Sequence, residues 1–163
     1  MHTTTRKILG FFVFFFSSLY PATSQIRVGN LLLYENTTNL NVGKLTAICP
    51  SSDGYLWFGS ENGLVQFDGY RYKFIEASAD GITGNKITDL SEDSIGNLWI
   101  GTYNDGISKY NLATKRYRRY PQLWQSGSSV QRVNKVLVLP DGDIWLATNG
   151  MGLAHYLPKT DSF

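Results

Sequence analysis

The sequence predicts an all-β fold made of β-propeller blades, each a four-stranded antiparallel meander. Three observations carry this expectation. First, one motif appears three times: Asp53-Gly54-Tyr55-Leu56-Trp57-Phe58-Gly59-Ser60, Ile95-Gly96-Asn97-Leu98-Trp99-Ile100-Gly101-Thr102 and Asp141-Gly142-Asp143-Ile144-Trp145-Leu146-Ala147-Thr148. Second, the tryptophans lie 42 and then 46 residues apart, the spacing of blade-like repeats. Third, the register extends well beyond them. Leu45, Ile87 and Val133 precede the tryptophans by a constant interval, as do Ile48, Leu90 and Val136. Behind them come Gly63, Gly106 and Gly152, then Phe67, Tyr110 and Tyr156, then Phe74, Tyr117 and Phe163.

Each repeat reads as four short apolar runs divided by turn residues. In the second they cover roughly Lys86–Glu92, Asn97–Tyr103, Gly106–Asn111 and Lys115–Tyr120. Asn104-Asp105-Gly106, Asn62-Gly63 and Asp68-Gly69 supply residues that tolerate positive φ, as tight hairpins require. A single four-stranded sheet has two apolar faces and buries neither alone, so the repeats must stack. Trp57, Trp99 and Trp145, with Gly54, Gly96 and Gly142, are therefore read as structural repeat positions.

The organisation expected is a signal peptide over 1–24 and a partial propeller over 25–163. Arg6 and Lys7 open the former, Ile8 to Phe16 form an apolar run too short to span a bilayer, and Ala22-Thr23-Ser24 offer small residues before a cleavage site. The alternative is an uncleaved anchor. An outer strand at 29–35 precedes blade 1 (about 44–77), blade 2 (about 86–121) and blade 3 (about 132–163). Three blades do not close a ring, so the expected fold is an incomplete propeller, the first part of a longer protein.

Charge argues against a nucleic-acid partner. Without Arg6 and Lys7, 13 basic residues balance 13 acidic ones. The basic run Lys115-Arg116-Tyr117-Arg118-Arg119-Tyr120 reads as an outermost strand with alternating solvated charges that also discourage edge pairing. Cys49 is the single cysteine, read as a small, partly buried filler without an internal disulfide. His155, the one imidazole after the leader, reads as a solvent-facing strand residue. Asp89, Glu92 and Asp93 cluster on the first strand of blade 2, and Asp93 beside Ser94 reads as turn chemistry. No metal site, cofactor, phosphate loop or catalytic constellation is expected.

The pattern Gly-x-Leu-Trp-x-Gly-Thr, then Gly-Leu or Gly-Ile, then an aromatic with Asp or Asn, resembles the two-component-regulator propeller repeat. It runs from Gly54 to Ser60 with Gly63-Leu64 and Phe67-Asp68, and from Gly96 to Thr102 with Gly106-Ile107 and Tyr110-Asn111. The third copy departs at Ala147 and Tyr156-Leu157. The resemblance implies the start of a periplasmic sensor region of a hybrid two-component histidine kinase of the Bacteroidota type. In that family two seven-bladed propellers and a β-sandwich precede a membrane helix and a kinase, and many members sense oligosaccharides. The function expected is thus the N-terminal part of a sensor, exported to the periplasm, that recognises an oligosaccharide or mediates dimerisation. It is not an enzyme; kinase activity would lie downstream, as would the membrane anchor. The competing expectations are an exported propeller lyase or hydrolase and a secreted glycan-binding lectin.

The ligand-binding candidates are Trp124 with Tyr120. Trp124 lies off the repeat, in Pro121-Gln122-Leu123-Trp124-Gln125-Ser126-Gly127, within the longer connection. A loop on a rigid scaffold often carries binding residues, and an indole can stack on a sugar ring. The alternative is that Leu123 and Trp124 cap the blade edge. The partners expected are an oligosaccharide and either the remaining blades or a second copy of the chain.

Overall fold

The computed structural model describes residues 42–76, 81–82, 84–120 and 132–163. They belong to one compact unit, Asn39–Phe163. The expected signal peptide, the outer strand at 29–35 and Trp124 lie outside the described residues.

Eleven strands are described and no helix. Blade 1 comprises β1 (Leu45–Pro50), β2 (Leu56–Ser60), β3 (Leu64–Phe67) and β4 (Tyr72–Ile75). Blade 2 comprises β5 (Ile87–Glu92), β6 (Asn97–Thr102), β7 (Ile107–Asn111) and β8 (Tyr117–Tyr120). Both are four-stranded antiparallel meanders in chain order. Blade 3 has three strands, β9 (Val133–Val138), β10 (Ile144–Thr148) and β11 (Gly152–His155). After β11 the chain turns back through a Leu157–Ser162 bridge instead of pairing a fourth strand.

The repeated residues each do one local job. Gly54, Gly96 and Gly142 adopt φ of 86°, 76° and 93°. Each closes the three-residue turn between the first two strands of its blade, with hydrogen bonds such as Gly54 N to Ser51 O (3.0 Å) and Ser51 N to Tyr55 O (2.9 Å). A left-handed residue after a type I turn is the usual three-residue hairpin, and glycine takes that conformation without steric cost. The hydroxyl three residues after each tryptophan closes the next hairpin. Ser60 Oγ donates to Gly63 O (2.7 Å), Thr102 Oγ1 to Gly106 O (2.8 Å) and Thr148 Oγ1 to Gly152 O (2.8 Å).

Blades stack through their first strands, β1 on β5 and β5 on β9. A register shift falls at the same place in all three, leaving Thr46, Thr88 and Asn134 as the extra residues. Such bulges re-aim a side chain. Thr46 Oγ1 donates to Ile87 O of the next blade (2.7 Å), and Thr88 Oγ1 donates to Val133 O (2.5 Å). Close approach at this seam explains Gly59 and Gly101. A Cβ on Gly59 would lie 2.5 Å from Ile87 Cγ2, and one on Gly101 would lie 3.0 Å from Val133 Cγ1. Ala147 holds the equivalent position in blade 3.

The core lies between blades. Trp57, Leu64, Ile87, Leu90, Leu98 and Tyr110 gather at the first junction. Trp99, Ile107, Tyr120, Val133, Val136 and Tyr156 gather at the second. Trp57 and Trp99 have no exposed surface, and a buried indole N–H needs an acceptor. Trp57 Nε1 donates to Ser51 Oγ (3.1 Å), and Trp99 Nε1 donates to Asp93 Oδ2 (2.9 Å). Blade 3 places Leu139 there, which offers no side-chain acceptor, and Trp145 is only partly buried. The outer faces keep apolar surface: Ile48 is 62% exposed and Leu153 68%.

Candidate functional site

The two junctions share one framework but end differently at their outer rims. At the rim between blades 2 and 3, Trp99 meets Tyr156 edge-on (4.9 Å) and Phe163 likewise (5.9 Å), while Tyr120 stacks on it at 5.8 Å. Asp161, from the turn after β11, accepts from Lys109 Nζ (2.9 Å), Tyr156 Oη (2.6 Å) and Tyr120 Oη, and pairs with Arg118 Nε at 2.6 Å. Burial opposes ionisation of this carboxyl. Hydrogen bonds from Tyr120, Tyr156 and Lys109 outweigh burial and hold its pKa down at about 2. Desolvation lowers the Lys109 pKa, and its bonds to Asp161 and Tyr156 reverse that and raise it overall. The Lys109 ammonium also stands 5.4 Å from the ring centres of both Trp99 and Tyr156.

Tyr120 belongs to this filled rim. It is 7% exposed and its hydroxyl is committed to Asp161, and burial is the first cause that raises its pKa, ahead of that hydrogen bond. Its partner in the sequence reading, Trp124, is not among the described residues. The basic run is largely paired. Lys115 reaches Asp53, Arg118 reaches Asp161, and Arg119 Nε donates to Gly81 O (2.8 Å).

The rim between blades 1 and 2 is open. Its cleft has a volume of about 430 Å³ and passes between β3–β4 and the Tyr110–Tyr117 pair. Those two rings stack at 4.4 Å and 27°, and Trp57 meets Tyr110 edge-on at 5.6 Å. Tyr55, Gln66, Lys73 and Lys115 supply the polar lining. Burial raises the pKa of both tyrosines, so their hydroxyls stay protonated. The openness has a local cause. Gln66 faces Trp57 across the β2–β3 ladder as Lys109 faces Trp99 across β6–β7. The shorter neutral amide cannot bridge the rim as the lysine does.

The remaining singled-out residues form no second site. Asp89 ties blades 2 and 3: Val136 N donates to its Oδ2 (2.7 Å) and Lys135 Nζ to its Oδ1 (2.8 Å). Glu92 ties blades 1 and 2 through Ser52 N (2.8 Å) and the Ser52 hydroxyl. Asp93 does more than turn chemistry. It is 8% exposed and accepts from Ile95 N, Asn97 N, Asn97 Nδ2 and Trp99 Nε1. The Cys49 thiol is buried, and desolvation raises its pKa, which keeps it unreactive. His155 stacks on Trp145 at 4.3 Å, with Asp143 3.4 Å from its Nε2. Its side chain is 34% exposed rather than fully solvent-facing.

The two component regulator propeller pattern matches residues 39–62 and 81–104. Those two segments resemble the two-component regulator propeller repeat. The matched segments take in the inner strand, the glycine turn and the tryptophan strand of blades 1 and 2. The extracellular domain of BT3049 from B. thetaiotaomicron, described as a hybrid two component system, is 26% identical with a TM-score of 0.65, over 74% of this chain and 18% of that one. The extracellular domain of BT4673 from the same organism, described as a one component system, is 24% identical with a TM-score of 0.63, over 73% and 16%. Virginiamycin B lyase from Staphylococcus aureus shares the fold at 21% identity and a TM-score of 0.56, over 75% and 40%. The chain therefore spans under a fifth of either of these extracellular domains. No curated protein matches it in sequence.

Proposed function

We propose that this chain is the N-terminal part of a periplasmic sensor domain of a two-component signalling protein, and that its propeller recognises an oligosaccharide. The observation that carries this reading is the joint match: the regulator propeller pattern on two blades, and a fold shared at 26% identity with an extracellular domain described as part of a hybrid two component system. Export to the periplasm accords with that extracellular relative and with the leader-like 1–24. An enzymatic role draws less support. The lyase resembles this chain at a level that speaks to fold alone.

Sensing would work by biasing the populations of two arrangements through a ligand that prefers one of them. The contacts would come from the blade 1–2 cleft and from the connection that carries Trp124. Titration calorimetry of the full chain against a panel of oligosaccharides tests the reading. Trp124→Ala is expected to weaken the best binder by about 1–3 kcal/mol if the indole covers a sugar face. Absence of binding to any oligosaccharide would refute recognition by this segment.

A second reading, dimerisation, is favoured by exposed apolar side chains on the outer blades: Leu45 and Ile48 on blade 1, Leu137 and Leu153 on blade 3. Such surface marks association sites. Sedimentation analysis of wild type and Ile48→Glu should show association that the substitution weakens; a monomer at all concentrations would dismiss this reading.

A further inference from the structure

The cleft between the rims of blades 1 and 2, we propose, takes an anionic saccharide, one bearing a carboxylate or sulfate on its ring. This rests on the reading of the chain as an oligosaccharide-recognising sensor and names the chemical class that one site would select.

The strongest argument is the other junction. Lys115 and Asp161 occupy the same repeat position, two residues before the outer aromatics Tyr117 and Phe163. They are the two non-glycine residues with positive φ among those described, at 58° and 48°. At the blade 2–3 rim that position supplies a carboxylate, and the neighbouring blade supplies Lys109, Arg118 and the Tyr120 hydroxyl to receive it. At the blade 1–2 rim the same position supplies an ammonium instead. The carboxylate that fills one rim is thus replaced by positive charge in the other, and the space stays open.

The lining suits a charged sugar. At about 430 Å³ the cleft falls in the size range of small-molecule sites, roughly 300–1,000 Å³. The stacked Tyr110 and Tyr117 rings offer an aromatic wall with polar tips. Gln66 can donate and accept towards ring hydroxyls. Lys73 comes from blade 1 and Lys115 from blade 2, one cation on each wall. Lys73 has no ion-pair partner among the described residues. Lys115 is held loosely, 3.4 Å from Asp53 with 53% of its side chain exposed. An anion seated between them gains charge-assisted hydrogen bonds from both, which are shorter and stronger than neutral ones.

The experiment is calorimetric titration of the full chain with a hyaluronan tetrasaccharide, a chondroitin sulfate disaccharide and neutral cellotetraose. Hyaluronan carries carboxylates alone and the chondroitin disaccharide a carboxylate with a sulfate, so binding of the second without the first would assign the anionic group to the sulfate. Lys73→Gln and Lys115→Gln are both exposed changes outside the core, and Arg71→Gln serves as a nearby cation outside the cleft. At least one acidic sugar should bind. Each lysine substitution should weaken it about tenfold, and Arg71→Gln should change it less than twofold. Binding should fall with added salt. Equal weakening by all three substitutions would mean diffuse surface attraction and overturn the site. Tight binding of cellotetraose, insensitive to both lysines, would overturn the anionic class while leaving oligosaccharide recognition intact. Failure of all three sugars would overturn this site; only failure across the wider oligosaccharide panel would refute the sensor reading with it.

Discussion

Replacing Trp99 by alanine should cost far more than replacing Trp145, its counterpart in blade 3. Trp99 has no exposed surface, donates its N–H to Asp93 at 2.9 Å, and lies within 6 Å of the Tyr120, Tyr156 and Phe163 rings. Truncating so enclosed an indole costs about 3–5 kcal/mol. Trp145 is partly exposed, and its closest aromatic neighbour is His155; one aromatic pair contributes about 0.5–1.5 kcal/mol. The gap between the two variants is therefore about 1.5 kcal/mol or more. With a denaturant slope of roughly 2 kcal/mol per molar urea for a chain of this size, the unfolding midpoints should differ by about 1 M. Urea titration followed by far-UV circular dichroism reads this without relying on the fluorescence of the residues removed. Equal midpoints for the two variants, or a larger loss for Trp145→Ala, would refute the claim that each tryptophan is buried by the blade that follows it.

Three further outcomes follow from the junctions. Gly59→Ala should destabilise by about 1–3 kcal/mol, because the new methyl meets Ile87 at 2.5 Å, and more than Gly101→Ala, where the approach is 3.0 Å; thermal unfolding of both variants checks the order. Thr88→Val removes the hydroxyl bond to Val133 O and should cost about 1 kcal/mol; an unchanged urea midpoint would show that the bulge bond does not join the blades. Asp161 has a folded pKa depressed to about 2, below the ordinary aspartate value of about 3.9. Its contribution is therefore present above the unfolded pKa and lost as pH falls through the folded one. Wild type should exceed Asp161→Asn in melting temperature near neutral pH, and the difference should close between about pH 4 and pH 2; a difference constant across that range would contradict the assignment.

Much of the fold was legible because single residues do single local jobs. Gly54, Gly96 and Gly142 must be left-handed, and the hydroxyls of Ser60, Thr102 and Thr148 must close a hairpin, so both leave a periodic trace. The seam between blades was not legible. Thr46 and Thr88 act through a bulge, and nothing in a bare threonine marks an acceptor 41 or 45 residues away. Asp93 looked like a turn residue because it is one, and its bond to Trp99 adds a role that Ser51 shares and Leu139 lacks. Asp161 carried no local sign, since a left-handed aspartate reads like any turn. The open cleft is a difference between two junctions, Gln66 for Lys109 and Lys115 for Asp161. A search for shared motifs passes over such differences. Tyr120, expected beside Trp124 as a binding platform, is packed under Asp161, because its ring completes the cluster around Trp99.

The most direct test of ligand recognition by these blades is a ¹⁵N-resolved titration of the full chain with the oligosaccharide panel, with each amide shift mapped onto the sequence. The expected result is a saturable set of shifts centred on Gln66, Lys73, Lys115 and Tyr117, with the Asp161 rim unmoved. Shifts confined to other surfaces, or none with any oligosaccharide, would contradict it.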